Sequence, residues 1–142
     1  MTAAQLLLKT AKKKALDAIA LLEASVQGLQ PFSPDIQYSP KEREPFDALC
    51  DRFVRSIEIC LKFFRTYEKT LSGESSETLR DLLNLMEKVH LISSAQLWID
   101  MRLFRNRIVH DYLPEDLKKI YDFITTDFAK ELFSLKEKIK LL

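Results

Sequence analysis

SPKEREPFDALCDRFVRSIEICLKFFRTYEKTLSG, residues 39–73, decides the fold. Ser39, Pro40 and Glu42 together form a helix start signal. The serine hydroxyl can cap the first turn, and proline sits where no N–H is needed. The glutamate three places after the serine can reach back to the cap. Phe46, Leu49, Cys50, Phe53, Ile57, Leu61 and Phe64 then recur mostly three or four apart, the period of a helix with one buried stripe. The pattern predicts a helix from Pro40 to about Leu71, broken at Ser72-Gly73.

The same period governs the chain on either side. Before it, Leu8, Ala15, Ile19, Leu22 and Val26 predict a helix from about Ala3 to Gly28, with Gly28 as its stop and Lys12, Lys13 and Lys14 on the outer side. Pro31, Pro34 and Pro40 make the intervening stretch a loop. After it, Ser75 or Ser76 is expected to cap a third helix carrying Leu79, Leu82, Leu83, Leu85, Met86 and Val89. Ser93 or Ser94 is expected to cap a fourth, from about Ala95 to His110. Pro114, with Glu115 and Asp116 in its first turn, opens a fifth helix through Leu117, Ile120, Tyr121, Ile124, Phe128, Leu132, Leu135 and Ile139. No stretch alternates with period two. The expectation is an all-α, antiparallel bundle of four or five helices, one domain over residues 1–142, whose apolar stripes are core.

Composition narrows the function classes. Of 142 residues, 46% are hydrophobic and 30% charged, with two Gly and five Pro, which excludes collagen-like, low-complexity and disordered chains. Lys and Arg number 22 against 21 Asp and Glu, a formal charge of +1, so any polyanion site must be a local patch. Cys50 and Cys60, ten residues apart on one predicted helix, lie about 15 Å apart along its axis and cannot pair there. The sequence shows no Cys/His cluster with zinc spacing, and only Leu6, Leu7 and Leu8 run together near the N-terminus. A cytoplasmic, reduced location is therefore expected, with no membrane segment, metal or cofactor.

The fourth helix carries the chemistry. Stepping 100° per residue puts Trp98, Met101, Phe104 and Ile108 on its buried stripe, and Arg105 falls inside that stripe. A buried guanidinium needs an anion or several acceptors. The bland alternative is an arginine that snorkels to a carboxylate on another helix, and Glu58 is the specific partner to check. Asn106 and His110, four apart, share a face with Arg102. His110 lies where the helix must end before Pro114, and there the helix dipole favours a cation; a structural cap is its alternative role. The run Arg105-Asn106-Arg107-Ile108-Val109-His110-Asp111-Tyr112 thus collects a fixed cation, an amide, a titratable base and a phenol within two turns. Arginine can hold phosphate oxygens and stabilise developing charge while histidine moves a proton, so the inventory suits phosphodiester chemistry.

Arg105-Asn106, His110 and Tyr112, spaced as arginine, polar residue, three more, histidine, one more, tyrosine, resemble the signature of HEPN domains. The form is the one seen in the toxins of HEPN–MNT toxin–antitoxin pairs, where MNT is a minimal nucleotidyltransferase. Arg52-Phe53 and Glu58 resemble the family's second-helix pattern. The resemblance implies a metal-independent endoribonuclease of the type VII-like class, acting on RNA as a homodimer by 2′-hydroxyl transesterification. It implies that Arg105 binds and polarises the scissile phosphate, Asn106 orients it, and His110 serves the attacking or leaving oxygen. Tyr112 would be the residue that a cognate nucleotidyltransferase modifies with AMP, against the alternative of a phenol that closes the helix end. Arg102 and Arg107 would widen the phosphate patch, or else form surface ion pairs.

Two further readings stay open: a non-enzymatic helical subunit that binds a nucleotidyltransferase or its nucleotide, and a plain helical scaffold. His90 is expected to close the third helix, and the lysines at 12–14 to be a solvated face.

Overall fold

A computed structural model of the chain describes residues 1–110 and 113–142. Those residues form helices without a strand among them. The helices are α1 (Ala3–Gly28), α2 (Pro40–Ser72), α3 (Leu79–Lys88) and α4 (Ala95–His110), followed by a 3₁₀ turn at Pro114–Asp116 and α5. α5 is one continuous helix made of Leu117–Phe123, a π-helical turn at Ile124–Phe128, and Ala129–Lys140.

The expected starts form as the sequence dictates at α2, where Ser39 Oγ accepts from the Glu42 N–H and Glu42 reaches back to the Ser39 N–H. Those contacts hold the Glu42 carboxyl below its ordinary value, first through the Ser39 backbone N–H and then through its hydroxyl. Thr2 and Gln5 close the same kind of box at α1. Gly73, at φ 74°, ends α2 in the left-handed region where glycine carries no side-chain penalty.

Two terminal details differ from expectation, and a third, at His90, agrees with it. The cap of α3 is Thr78, whose Oγ1 accepts from the Asp81 N–H at 3.1 Å. Ser76 is unavailable because the buried Glu68 carboxylate takes both its N–H, at 2.8 Å, and its hydroxyl. Gly28 is the last residue of α1 rather than a left-handed stop; Leu29 turns extended two places before Pro31. His90 closes the α3 end in the left-handed region at φ 62°, its N–H bonded to the Glu87 carbonyl at 3.0 Å.

Cross-helix contacts fix the topology. Going forward along α1 from Ala18 to Leu21, its partners on α2 run backward from Ser56 to Arg52, so the pair is antiparallel. Phe64 meets Trp98 and Glu58 meets Arg105, which makes α2 and α4 antiparallel. Trp98 meets Glu131 and Phe104 meets Phe123, which makes α4 and α5 antiparallel. Four long helices therefore run up, down, up and down, with α3 a short spur against α4. The core stripes converge on one contiguous cluster centred on Leu22, Phe53, Ile57, Phe64, Trp98 and Met101, all fully buried. Cys60 is buried within it, and Cys50 is partly buried beside it; both thiols are free. Burial pushes the Cys60 thiol up, and pushes the Cys50 thiol up to about 12. No helix among the described residues is long and apolar enough to cross a membrane.

Candidate functional site

The rotation of α4 is set at three levels. At its start, Ser94 Oγ accepts from the Leu97 N–H at 3.2 Å and Glu87 Oε1 from the Ala95 N–H at 2.7 Å. One turn on, the indole of Trp98 donates at 2.8 Å to the buried Glu131 carboxylate, which also takes the Ser93 N–H at 3.1 Å and hydroxyl at 2.7 Å. Further on, Phe104 stands edge-on to Phe123 and Phe128, and Phe128 stacks on Phe53 of α2 at 5.5 Å. With Trp98 and Phe104 so held, Arg105, seven residues after Trp98, has almost the same bearing as the indole and faces α2.

The guanidinium of Arg105 meets two acceptors there. Nη2 pairs with Glu58 Oε1, and Nη1 donates to Asn106 Oδ1 at 2.7 Å. Its Nε is buried and has no hydrogen-bond partner among the described residues. The side chain is 24% exposed, so the core stripe carries its cation to the rim of the bundle, where an anion can still reach it. Glu58 is thus the carboxylate partner, and Arg105 is half-buried rather than enclosed. The orphaned Nε donor and the open edge leave this guanidinium with hydrogen-bonding capacity beyond its two partners.

His110 ends α4 and is exposed. Five residues separate it from Arg105, which on a helix is about 140° of rotation, so the two side chains do not share a face. Asn106 joins them: its amide touches Arg105, and it stands one turn before His110 on the same face. The concavities lined by residues 5–17, 32–43, 65–75 and 114–127 do not include Arg105, Asn106 or His110. Arg107 is tied to Asp116 of the 3₁₀ turn at 3.4 Å, and Arg102 is exposed. The expectations for Tyr112 and Asp111 fall on residues outside the described ones. Among the described residues no group of three His, Cys, Asp or Glu is placed to hold a metal ion.

Several features had weak or no sequence signals. The buried carboxylates of Glu68 and Glu131 look, in sequence, like any surface glutamate; serines on the neighbouring loops are their only hint. The π-helical turn coincides with Thr125 and Thr126, whose hydroxyls bond the carbonyls of Tyr121 at 2.8 Å and Asp122 at 2.6 Å and loosen the helical ladder.

A comparison with curated proteins gave no match. The family model described as nucleotidyltransferase substrate binding protein like matches residues 13–141, which takes in the later part of α1, all of α2 to α5 and the whole of the Arg105–His110 segment. That family is helical, HEPN-like and associated with nucleotidyltransferases, in line with the broad resemblance of the motif. The chain belongs to the nucleotidyltransferase substrate binding protein-like family.

Proposed function

We propose that this protein is an endoribonuclease that needs no metal ion and works as the toxin partner of a minimal nucleotidyltransferase in the cytoplasm. The observation that carries the reading is the half-buried Arg105, with an orphaned donor, bridged by Asn106 to the helix face of an exposed His110. In the reaction the 2′-oxygen of RNA bonds to phosphorus and the bond from phosphorus to the 5′-oxygen breaks, leaving a 2′,3′-cyclic phosphate and a 5′-hydroxyl. Arg105 neutralises charge on the phosphoryl oxygens, Asn106 orients that group, and Arg102 and Arg107 extend the phosphate contact. One imidazole takes the proton from the 2′-hydroxyl while another supplies a proton to the leaving oxygen. A homodimer related by a two-fold axis provides both, because each chain brings one His110, and its second surface turns the open site into a groove.

Silencing belongs to the same reading. The phenol oxygen of Tyr112 attacks the α-phosphorus of ATP on the nucleotidyltransferase, pyrophosphate leaves, and the added AMP repels the RNA backbone. The test is incubation of single-stranded RNA with the protein in EDTA. Fragments ending in 2′,3′-cyclic phosphate are expected, and intact RNA across a range of sequences overturns the proposal.

The family match favours a second reading, a non-enzymatic helical subunit that presents substrate to a nucleotidyltransferase. It predicts a stable complex with that enzyme and no RNA cleavage by either component.

A further inference from the structure

Beyond α4, the loop between α1 and α2 and the start of α5 enclose a cleft of about 490 Å³ that the Arg105–His110 segment does not line. Its walls include Phe32, Tyr38, Arg43, Pro114, Glu115 and Lys118. The volume falls in the range of small-ligand sites. We propose that this cleft is a subsite for one unpaired ribonucleotide of the RNA substrate, holding the base against its aromatic wall and the phosphate on Arg43 and Lys118. The assignment rests on the RNA-cleaving reading for the identity of the chain that fills it.

The wall is built before any ligand arrives. Phe32 and Tyr38 stack on one another with centroids 5.1 Å apart, and the Tyr38 hydroxyl accepts the Ser33 N–H at 3.0 Å. Phe32 also stands edge-on to Phe46 at 5.3 Å and to Tyr121 at 5.0 Å, so the loop is riveted to α2 and α5. Both rings remain half-buried, leaving part of each at the cleft. Pro31 and Pro34 restrict the loop further, and a pre-organised wall lowers the entropy lost on binding. Flat aromatic surfaces accept any base by stacking, and nearby cations track the backbone, the pairing that single-stranded nucleic-acid sites use.

The charges suit the same occupant. Arg43 of α2 and Lys118 of α5 both line the cleft, and Glu115 lies three residues before Lys118. Among the described residues Arg43 has no ion-pair partner within 4 Å, and Lys118 is shared with Asp122 at 2.6 Å. Glu115 can accept from a ribose hydroxyl or an exocyclic amine, which a bare phosphate does not offer. Pro114 is four residues past His110, so the chain keeps the Cα atoms of the two within about 14 Å of each other, a reach of a few nucleotides. A base held there would fix which phosphodiester lies over Arg105.

The test is an NMR titration of the intact protein with 5′-AMP and 5′-UMP, using ribose 5-phosphate as the probe that lacks a base. Nucleotide-dependent shifts at Phe32, Tyr38 and Lys118 are expected, with affinity about tenfold weaker in Arg43→Ala. Because Arg43 also neighbours Tyr121, Lys118→Ala is the second variant, with a smaller loss expected at unchanged thermal stability. No shifts at these residues at millimolar nucleotide, or equal shifts with ribose 5-phosphate, overturn the subsite. So does binding of an apolar peptide there in place of nucleotide. The result is separate from catalysis: if binding holds but no RNA is cut, the nuclease reading falls alone. If RNA is cut at the same positions by wild type and Lys118→Ala and no nucleotide binds, the subsite falls alone.

Discussion

Glu58→Gln separates a phosphate-binding Arg105 from a structural one. The carboxylate is 44% exposed and the guanidinium 24%, so their pair is solvent-screened and contributes about 1 kcal/mol to stability. The amide that replaces it still accepts one N–H, and the thermal midpoint should fall by no more than about 4 °C. RNA binding should move the other way. A phosphate seated on Arg105 lies roughly 6 Å from the Glu58 carboxylate, where repulsion in a water-rich setting is about 1 kcal/mol. Removing it should tighten single-stranded RNA by about fivefold at low salt. The assay is fluorescence anisotropy of a labelled RNA in EDTA, in a His110→Ala background so that the probe survives. The gain should shrink as salt rises and should vanish when Arg105→Ala is added, because it acts through that guanidinium. Unchanged or weaker RNA affinity in Glu58→Gln, or the same gain without Arg105, would refute the reasoning and leave Arg105 as a structural ion-pair partner.

Two other outcomes follow from the way the site is held. Glu131→Ala strips acceptors from the Trp98 indole and from Ser93, and should lower stability by about 3 kcal/mol, read by urea denaturation through Trp98, the only tryptophan; a loss below about 1 kcal/mol contradicts the network's role. At high pH the buried Tyr121 hydroxyl, pushed up to about 12 from 10.0 chiefly by desolvation, stays protonated in the fold after it ionises in the unfolded chain. Its contribution, about 2 kcal/mol, is complete below pH 10 and lost as pH rises towards 12, with Cys50 adding to the fall from about pH 9. Tyr121→Phe should make that fall shallower, and an identical pH profile would count against the assignment.

Fold and site were unequally legible in the sequence. The helices were readable because a continuous stripe such as Phe46–Phe64 has one period and its caps are local: Ser39, Glu42 and Pro40 act within a single turn. The partner of Arg105 could be guessed, since a guanidinium on a core bearing demands an acceptor and Glu58 lies on a helix that must pack nearby. Thr78 was missed as a cap because the competitor for Ser76, Glu68, acts across a loop and has no local mark. The separation of Arg105 from His110 follows from helix rotation alone, yet the aromatic cluster around Phe128 is what turns Arg105 towards α2. The cleft beside α5 was not legible at all, because Phe32, Tyr38, Arg43 and Lys118 are brought together by packing of segments about 80 residues apart.

The central claim is that Arg105 and His110 cut RNA, and the direct measurement is the cleavage rate of single-stranded RNA in EDTA by wild type, His110→Ala and Arg105→Ala. Both variants are predicted to fold as wild type does and to lose roughly 10²–10⁴ of the rate, the range for removing an acid–base or charge-stabilising group. Equal rates in all three proteins, or no cleavage by a wild type shown to be folded and dimeric, would contradict it.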